Sequence, residues 1–338
     1  MANTAPVNDN SFVTNYIYQK VSSEALINVY AIGAVTKGLN GEELAEIGSM
    51  FEAGIVGISD DGKTLMNAYL LRKAMDYSKR FDLVLISHAD DTHLKGRGVM
   101  NEGLNSARFG LRGIPRAADD VIVCRDTILA DLTQSRLHIA HVSTEGSVAL
   151  VREAKRRGIR VTAEVTPHHL LLTDDAVGNY DTNTKVAPPL REKRDVEALK
   201  EALSDGTIDV LASDHAPHSI EDKEVEYDLA EFGMVGLETA FALYNRLIME
   251  GCLTVNRMVE AMTIRPATIL GVPKGTLKVG ADADISLCDP LVKHRIDKSA
   301  FVSKSRNTPF DGWDVQGKVT HTIVAGRVVY RWEGSRSL

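Results

Sequence analysis

Short apolar runs alternate with amphipathic stretches as far as Gly271, and this β-then-α order constrains the fold more than any other feature. Strand-like runs fall at residues 27–35, 55–59, 83–87, 137–142, 160–165 and 208–213. Helical spacing follows them at 41–53 (Leu44, Ile47, Phe51), 67–80, 116–132, 144–157, 195–203, 238–249 and 255–270, with Gly158 as a stop signal. The polar stretch 88–115 reads as a long loop. Repeated β-then-α order implies parallel strands joined by right-handed crossovers. The expected fold class is therefore α/β, a TIM-type (β/α)8 barrel of which only six strand–helix units are legible. After Gly271 the runs at 281–288 and 319–330 are β-rich, and Gly326 marks a turn between two short apolar runs. The expected organisation is a partial catalytic barrel over 1–271 and part of a small β domain over 272–338, with 275–280 as linker.

The formal net charge is −7, and no dense Lys/Arg stripe is present. That balance argues against a nucleic-acid or anionic-membrane partner and leaves a small-molecule substrate. No stretch has the length and apolarity of a membrane span. Cys124, Cys252 and Cys288 are scattered and form no C-x-x-C, as in a reducing compartment; the cytoplasm is the expected location.

Four polar residues share one position, the end of an apolar strand: Asp61, His88, His141 and Asp214. The last ends the run Ile208-Asp209-Val210-Leu211-Ala212-Ser213-Asp214-His215-Ala216-Pro217-His218, where Pro217 prevents the strand from continuing. In α/β barrels the C-terminal strand edge is the catalytic face. Carboxylates and imidazoles converging there form a ligand set for Zn²⁺ or a related ion, and a bridging carboxylate could hold two ions.

The chain closely resembles the class I dihydroorotases of the amidohydrolase superfamily. The matching stretches begin with Met1-Ala2-Asn3-Thr4, Pro6-Val7-Asn8-Asp9, 30–39, Gly41-Glu42-Glu43-Leu44, 58–62 and 88–90. They continue with Met100-Asn101-Glu102-Gly103, Gly113-Ile114-Pro115, 141–144, 166–173, 185–191, 213–218, 236–239, Gly275-Thr276-Leu277 and 280–284. The resemblance implies zinc-dependent hydrolysis of a cyclic amide, interconverting N-carbamoyl-L-aspartate and dihydroorotate in pyrimidine synthesis, with one or two Zn²⁺ ions. It makes His88 and His141 ligands of one metal, Asp61 the bridging ligand, and Asp214 both a ligand of the other metal and the general acid–base. Asp60 is the alternative to Asp61, which better matches the family's order. The resemblance also makes Asn3 and His218 contacts of the substrate carboxylate, and Gly233 to Gly236 a backbone contact of its ring. His215 and the pair His168-His169 are as well explained by structural hydrogen bonds at the rim. His93, His138, His294 and His321 read as structural.

Two departures accompany the resemblance. The family's H-x-H-x-R at the end of its first strand has no counterpart, since no H-x-H occurs among the ten histidines. Met1 matches an internal methionine, so the first two barrel strands and half of the β domain are expected to be missing. A shortened or misassigned start is favoured over a non-catalytic scaffold that partners aspartate transcarbamoylase, because a scaffold has no reason to keep all four ligands. Either way the chain is expected to be inactive alone, with an open sheet edge that predicts poor solubility or dependence on a partner or a second copy. Ala187 stands where many relatives carry asparagine. Allantoinase or another cyclic ureide hydrolase is the nearest alternative activity.

Overall fold

The computed structural model describes residues 1–334. Strands β1 (Ile32–Gly33), β2 (Gly57–Ser59) and β3 (Val84–Ser87) are followed by the short pair β4 (Met100–Asn101) and β5 (Gly113–Ile114). Next come β6 (Leu137–Ile139), β7 (Val161–Val165) and β8 (Val210–Leu211), and then β9 (Ile285–Arg295), β10 (Asp314–Val324) and β11 (Arg327–Arg331). Six of them form one parallel sheet in the order β1-β2-β3-β6-β7-β8. This is the barrel-type sheet expected from the alternation, with the expected number of strands.

Alternation along each strand sorts the side chains. Leu85, Leu137, Ile139, Val161, Ala163, Val165 and Leu211 face the surrounding helices and join the main core. Ile32, Val84, Ile86, Ala140 and Val210 form a second cluster with Ile269 from the helix Ile264–Leu270. That helix packs Ile269 and Leu270 against the sheet face opposite the main core. The antiparallel sheet β9-β10-β11 follows, its hairpin turned by Ala325 and Gly326, both at positive φ. A left-handed pair of this kind suits the twist of a two-residue hairpin and explains the turn signal at Gly326. Val315 of β10 and Ile296 join Leu243, Met234 and Leu190 in a core shared by the two sheets' surroundings.

Three expectations need correction. Residues 88–115 are not a structureless loop: they contain helices Thr92–Lys95 and Leu104–Phe109 and the β4–β5 pair. The buried Arg191 guanidinium holds this excursion by donating to Asn101 Oδ1 and the Ile114 carbonyl. The helix expected over 255–270 is two, Val255–Met262 and Ile264–Leu270, broken at Thr263. Pro266 lacks the N–H that would bond back to Met262 and its ring would crowd that carbonyl. The first strand spans two residues rather than nine, and a helix, Ser11–Glu24, precedes it. Asn10 caps that helix, its side chain accepting from the Phe12 and Val13 amides.

Candidate metal centre and catalytic cleft

The C-terminal ends of β2, β3 and β6 lie side by side in the sheet, so the residues that follow them meet. His88 Nδ1 lies 2.9 Å from His141 Nε2, and Asp61 Oδ1 lies 3.7 Å from each. Both imidazoles are buried, and His141 has a positive φ of 32°. A non-glycine residue in that region is uncommon and marks a backbone held in place by its surroundings. The two facing ring nitrogens need an N–H and a lone pair between them, whereas a cation would take a lone pair from each. A triangle of sides 2.9, 3.7 and 3.7 Å has a circumradius of about 2.0 Å, equal to zinc–imidazole and zinc–carboxylate bond lengths. One carboxylate oxygen and two imidazole nitrogens on such a circle fit a divalent ion.

Electrostatics point the same way. Burial alone would push the Asp61 carboxyl up, but His141 and His88 beside it hold it far below the carboxylate range. Burial opposes a charge on His141, yet Asp61 and Asp214 push it up to about 9. The group thus behaves as a compact ion-pair cluster that a metal would displace. Asp60 has another job: its carboxylate accepts from the Val35 and Thr36 amides and the Thr36 hydroxyl, tying β2 to the end of β1. Of the two aspartates only Asp61 reaches the imidazoles.

Asp214 follows β8 and also has a positive φ, 44°. It lines a cleft of about 690 Å³ together with Asn3, Asp61, His141 and His218. Burial raises its carboxyl pKa, with Asp61 and Glu164 adding and His141 and His88 opposing. A carboxylate raised in this way is suited to passing a proton. Asn3 and His218 line the same cleft, and His218 Nε2 donates to the Phe232 carbonyl. Gly233 and Gly236 sit behind the Asp214 loop. A Cβ on Gly236 would stand 2.4 Å from the Ser213 carbonyl oxygen, and one on Gly233 2.6 Å from Ala216 Cβ. These glycines let two backbones close together. His215 is structural here: its Nδ1 accepts from the Gly236 amide.

Three side chains enter the site without a strong signal in the sequence. His168 Nε2 is buried, unpartnered, and 3.9 Å from Asp214 Oδ2. Its neighbour His169 is satisfied on both nitrogens, by Thr166 Oγ1 and the Pro188 carbonyl. Adjacent histidines of identical type therefore have different roles, which only the fold separates. His138 lines the floor of the cleft, bridging Thr162 and Glu164 at 2.8 and 3.1 Å. Asp90 lies two residues after His88, and its Oδ2 is 4.0 Å from His88 Nε2. The His-x-Asp spacing was a usable signal for it.

A strand-end cluster that could hold a metal ion on a barrel-type parallel sheet is the site expected of a metal-dependent hydrolase, and the chain belongs to the amidohydrolase family, whose pattern matches residues 22–329. Within it the chain is similar to dihydroorotases. It is 56% identical to that of Pelotomaculum thermopropionicum over 330 residues, 97% of this chain and 77% of the relative. It is 50% identical to that of Geotalea daltonii over 331 residues, 98% and 78%. Among solved structures it resembles an L-hydantoinase (dihydropyrimidinase) from Arthrobacter aurescens at a TM-score of 0.87 and 28% identity, covering 98% of this chain and 76% of that one. The D-hydantoinase of Bacillus sp. AR9, at 0.78 and 23% identity, shares the fold. Among the described residues no helix is long and apolar enough to cross a membrane.

Proposed function

We propose that this chain is a metal-dependent cyclic amidohydrolase of the dihydroorotase kind, interconverting N-carbamoyl-L-aspartate and dihydroorotate. The observation that carries the reading is the three-atom cluster of Asp61, His88 and His141, opening onto the same cleft as Asp214. Zn²⁺ is the preferred ion because the donors are one oxygen and two imidazole nitrogens. When bound, it polarises a carbonyl and lowers the pKa of water. His88, His141 and Asp61 would hold it, with Asp61 as the ligand shared with any second ion. Asp214 accepts a proton on its carboxylate and returns it to the departing ring nitrogen. Asn3 and His218 orient the substrate's carboxylate, and the backbone of the Gly233–Gly236 turn shapes the ring pocket. Catalysis belongs to residues 1–271, with 272–338 as a supporting β domain. A cytoplasmic location, and assembly as a homo-oligomer or with aspartate transcarbamoylase, complete the reading.

The test is to load the full chain with Zn²⁺ and measure bound metal, turnover of dihydroorotate, hydantoin and allantoin, and the melting shift each ligand gives. Stoichiometric zinc with a preference for dihydroorotate, in rate or in melting shift, supports the proposal. A preference for hydantoin or allantoin overturns the substrate, and absence of bound metal overturns the enzyme in favour of a scaffold.

A further inference from the structure

His88 turns one ring nitrogen to Asp61 and His141 and the other toward Asp90. Asp90 is 2% exposed, and its Oδ1 is buried without a partner. Its Oδ2 takes an ion pair from Lys95 at 2.5 Å. The Lys95 ammonium then lies over the Phe232 ring, 4.7 Å from the centroid, and Lys185 Nζ lies 4.5 Å from the same centroid. Lys185 in turn donates to the Asp228 and Ala230 carbonyls, and its own carbonyl accepts from the Gly233 amide. The Phe232 carbonyl accepts from His218. A series of polar and cation–π contacts thus runs from Asp90, whose Oδ2 stands 4.0 Å from the metal ligand His88, to the segment that closes against the Asp214 loop.

We propose that Asp90, Lys95 and Phe232 form a positioning link through which metal binding at His88 orders the Ala230–Gly236 segment. The proposal rests on the metal-centre reading above. A metal on one imidazole nitrogen makes the opposite N–H a stronger donor, which draws the Asp90 carboxylate toward His88. Asp90 then fixes Lys95, and the ammonium over the aromatic face fixes Phe232. The coupling is reciprocal, so an ordered segment also tightens the metal. Asp90 touches no reacting atom in this scheme and acts through His88.

The experiment is amide hydrogen exchange on the full chain with and without saturating Zn²⁺, beside zinc titrations of the same proteins. In the unsubstituted chain zinc is expected to slow exchange across Ala230–Gly236 by about 5-fold or more. Lys95→Met and Phe232→Leu should abolish that slowing, and Lys95→Arg, which keeps a cation over the ring, should restore it. Asp90→Asn should weaken zinc by roughly 10–100-fold, the usual effect of losing a partner behind a ligand. Zinc-dependent slowing that persists in Lys95→Met, or zinc binding without any slowing in the unsubstituted chain, overturns the link. If the unsubstituted chain takes up no zinc, the proposed function fails and the link is judged on zinc-free exchange. There, faster exchange of the segment in both Lys95→Met and Asp90→Asn supports it, and no change overturns it.

Discussion

The two halves of the cleft are built differently. Asp61, His88 and His141 follow three strands that are neighbours in the sheet, and their donor atoms lie within 4.8 Å of one another. Asp214 follows β8, which is separated from β6 by β7. Strands in a sheet stand about 4.8 Å apart, so adjacent strand ends bring side chains into contact while a two-strand step leaves a gap of about 10 Å. The intervening strand supplies what stands in that gap: His168, from the turn after β7, with its free nitrogen toward Asp214. Sheet order alone therefore assembles the ligand cluster, whereas the acid–base side depends on a residue from a short helix. Metal capture should accordingly reside in the first half and proton transfer in the second.

The strongest way to break that division is His141→Ala. It should weaken zinc by about 100-fold or more and remove turnover, because it takes one of three clustered donors and leaves the buried Asp61 carboxylate with less compensation. Asp214→Ala should retain zinc in the first cluster while turnover falls by about 10²–10⁴-fold, the range for a lost general acid–base. Metal analysis beside rate measurement separates the two. If Asp214→Ala loses metal as completely as His141→Ala, the halves are one site. A second, smaller effect follows by mass action. Zinc at 100–1,000 times its dissociation constant should stabilise the fold by about 3–4 kcal/mol in denaturant titrations. That gain should persist in Asp214→Ala and fall to about 1 kcal/mol or less in His141→Ala.

The same difference decides what was legible before the structure. The four strand-end residues stand out because each terminates an apolar run, and parallel order brings such ends together. The barrel strands were located for the same reason, although hydrogen-bonded pairing is shorter than the apolar runs, as at Ile32–Gly33. The helix Ser11–Glu24 escaped because its apolar residues do not form a buried stripe: Phe12 is 86% exposed, and Thr14 is the buried position. Its one local signal was the cap at Asn10. The elements within 88–115 are two to six residues long and too short for any period to show. They are fixed from a distance by Arg191 and by Asn101, which donates to Asp174. His168 was illegible for a similar reason, since it differs from His169 only in what the fold leaves unbonded.

A pH titration of stability sharpens the comparison further. His141 titrates near 9 in the folded chain against about 6.5 unfolded, so the folded state holds the extra proton across that interval. Its contribution is complete below about pH 6.5 and is lost as pH rises through 9, a change of at most about 3 kcal/mol. Burial pushes Lys185 and Lys223, under the Ala230–Gly236 segment, down to about 8. There the unfolded chain holds more protons, so their contribution makes stability rise from about pH 8 to 10.5. Metal-free denaturant titrations between pH 6 and 10 should show a shallow minimum at about pH 8–9, where these windows overlap. His141→Ala should remove the falling limb and leave the rising one. Zinc affinity should climb over the falling window, because the ion competes with the proton for the imidazole. A falling limb that survives in His141→Ala would place its origin outside the ligand cluster.

The smallest effect tests the residue between the halves. Burial, with His169 and His141 nearby, holds the His168 ring neutral, so its Nε2 can offer Asp214 an N–H without adding charge. At 3.9 Å the pair is longer than a hydrogen bond in the resting chain, and catalytic contacts commonly tighten once substrate is bound. His168→Phe preserves the ring and its packing but removes that donor. Turnover should fall by about 10-fold, the lower end for one hydrogen bond from a neutral donor to a charged carboxylate. Zinc affinity and KM should stay within about 2-fold, because neither the cluster nor the substrate contacts are touched. The acid limb of the kcat profile should move to higher pH, since Asp214 loses a donor to its charged form. An unshifted limb with unchanged kcat would assign His168 to packing, and a loss of zinc would make it a ligand that joins the two halves.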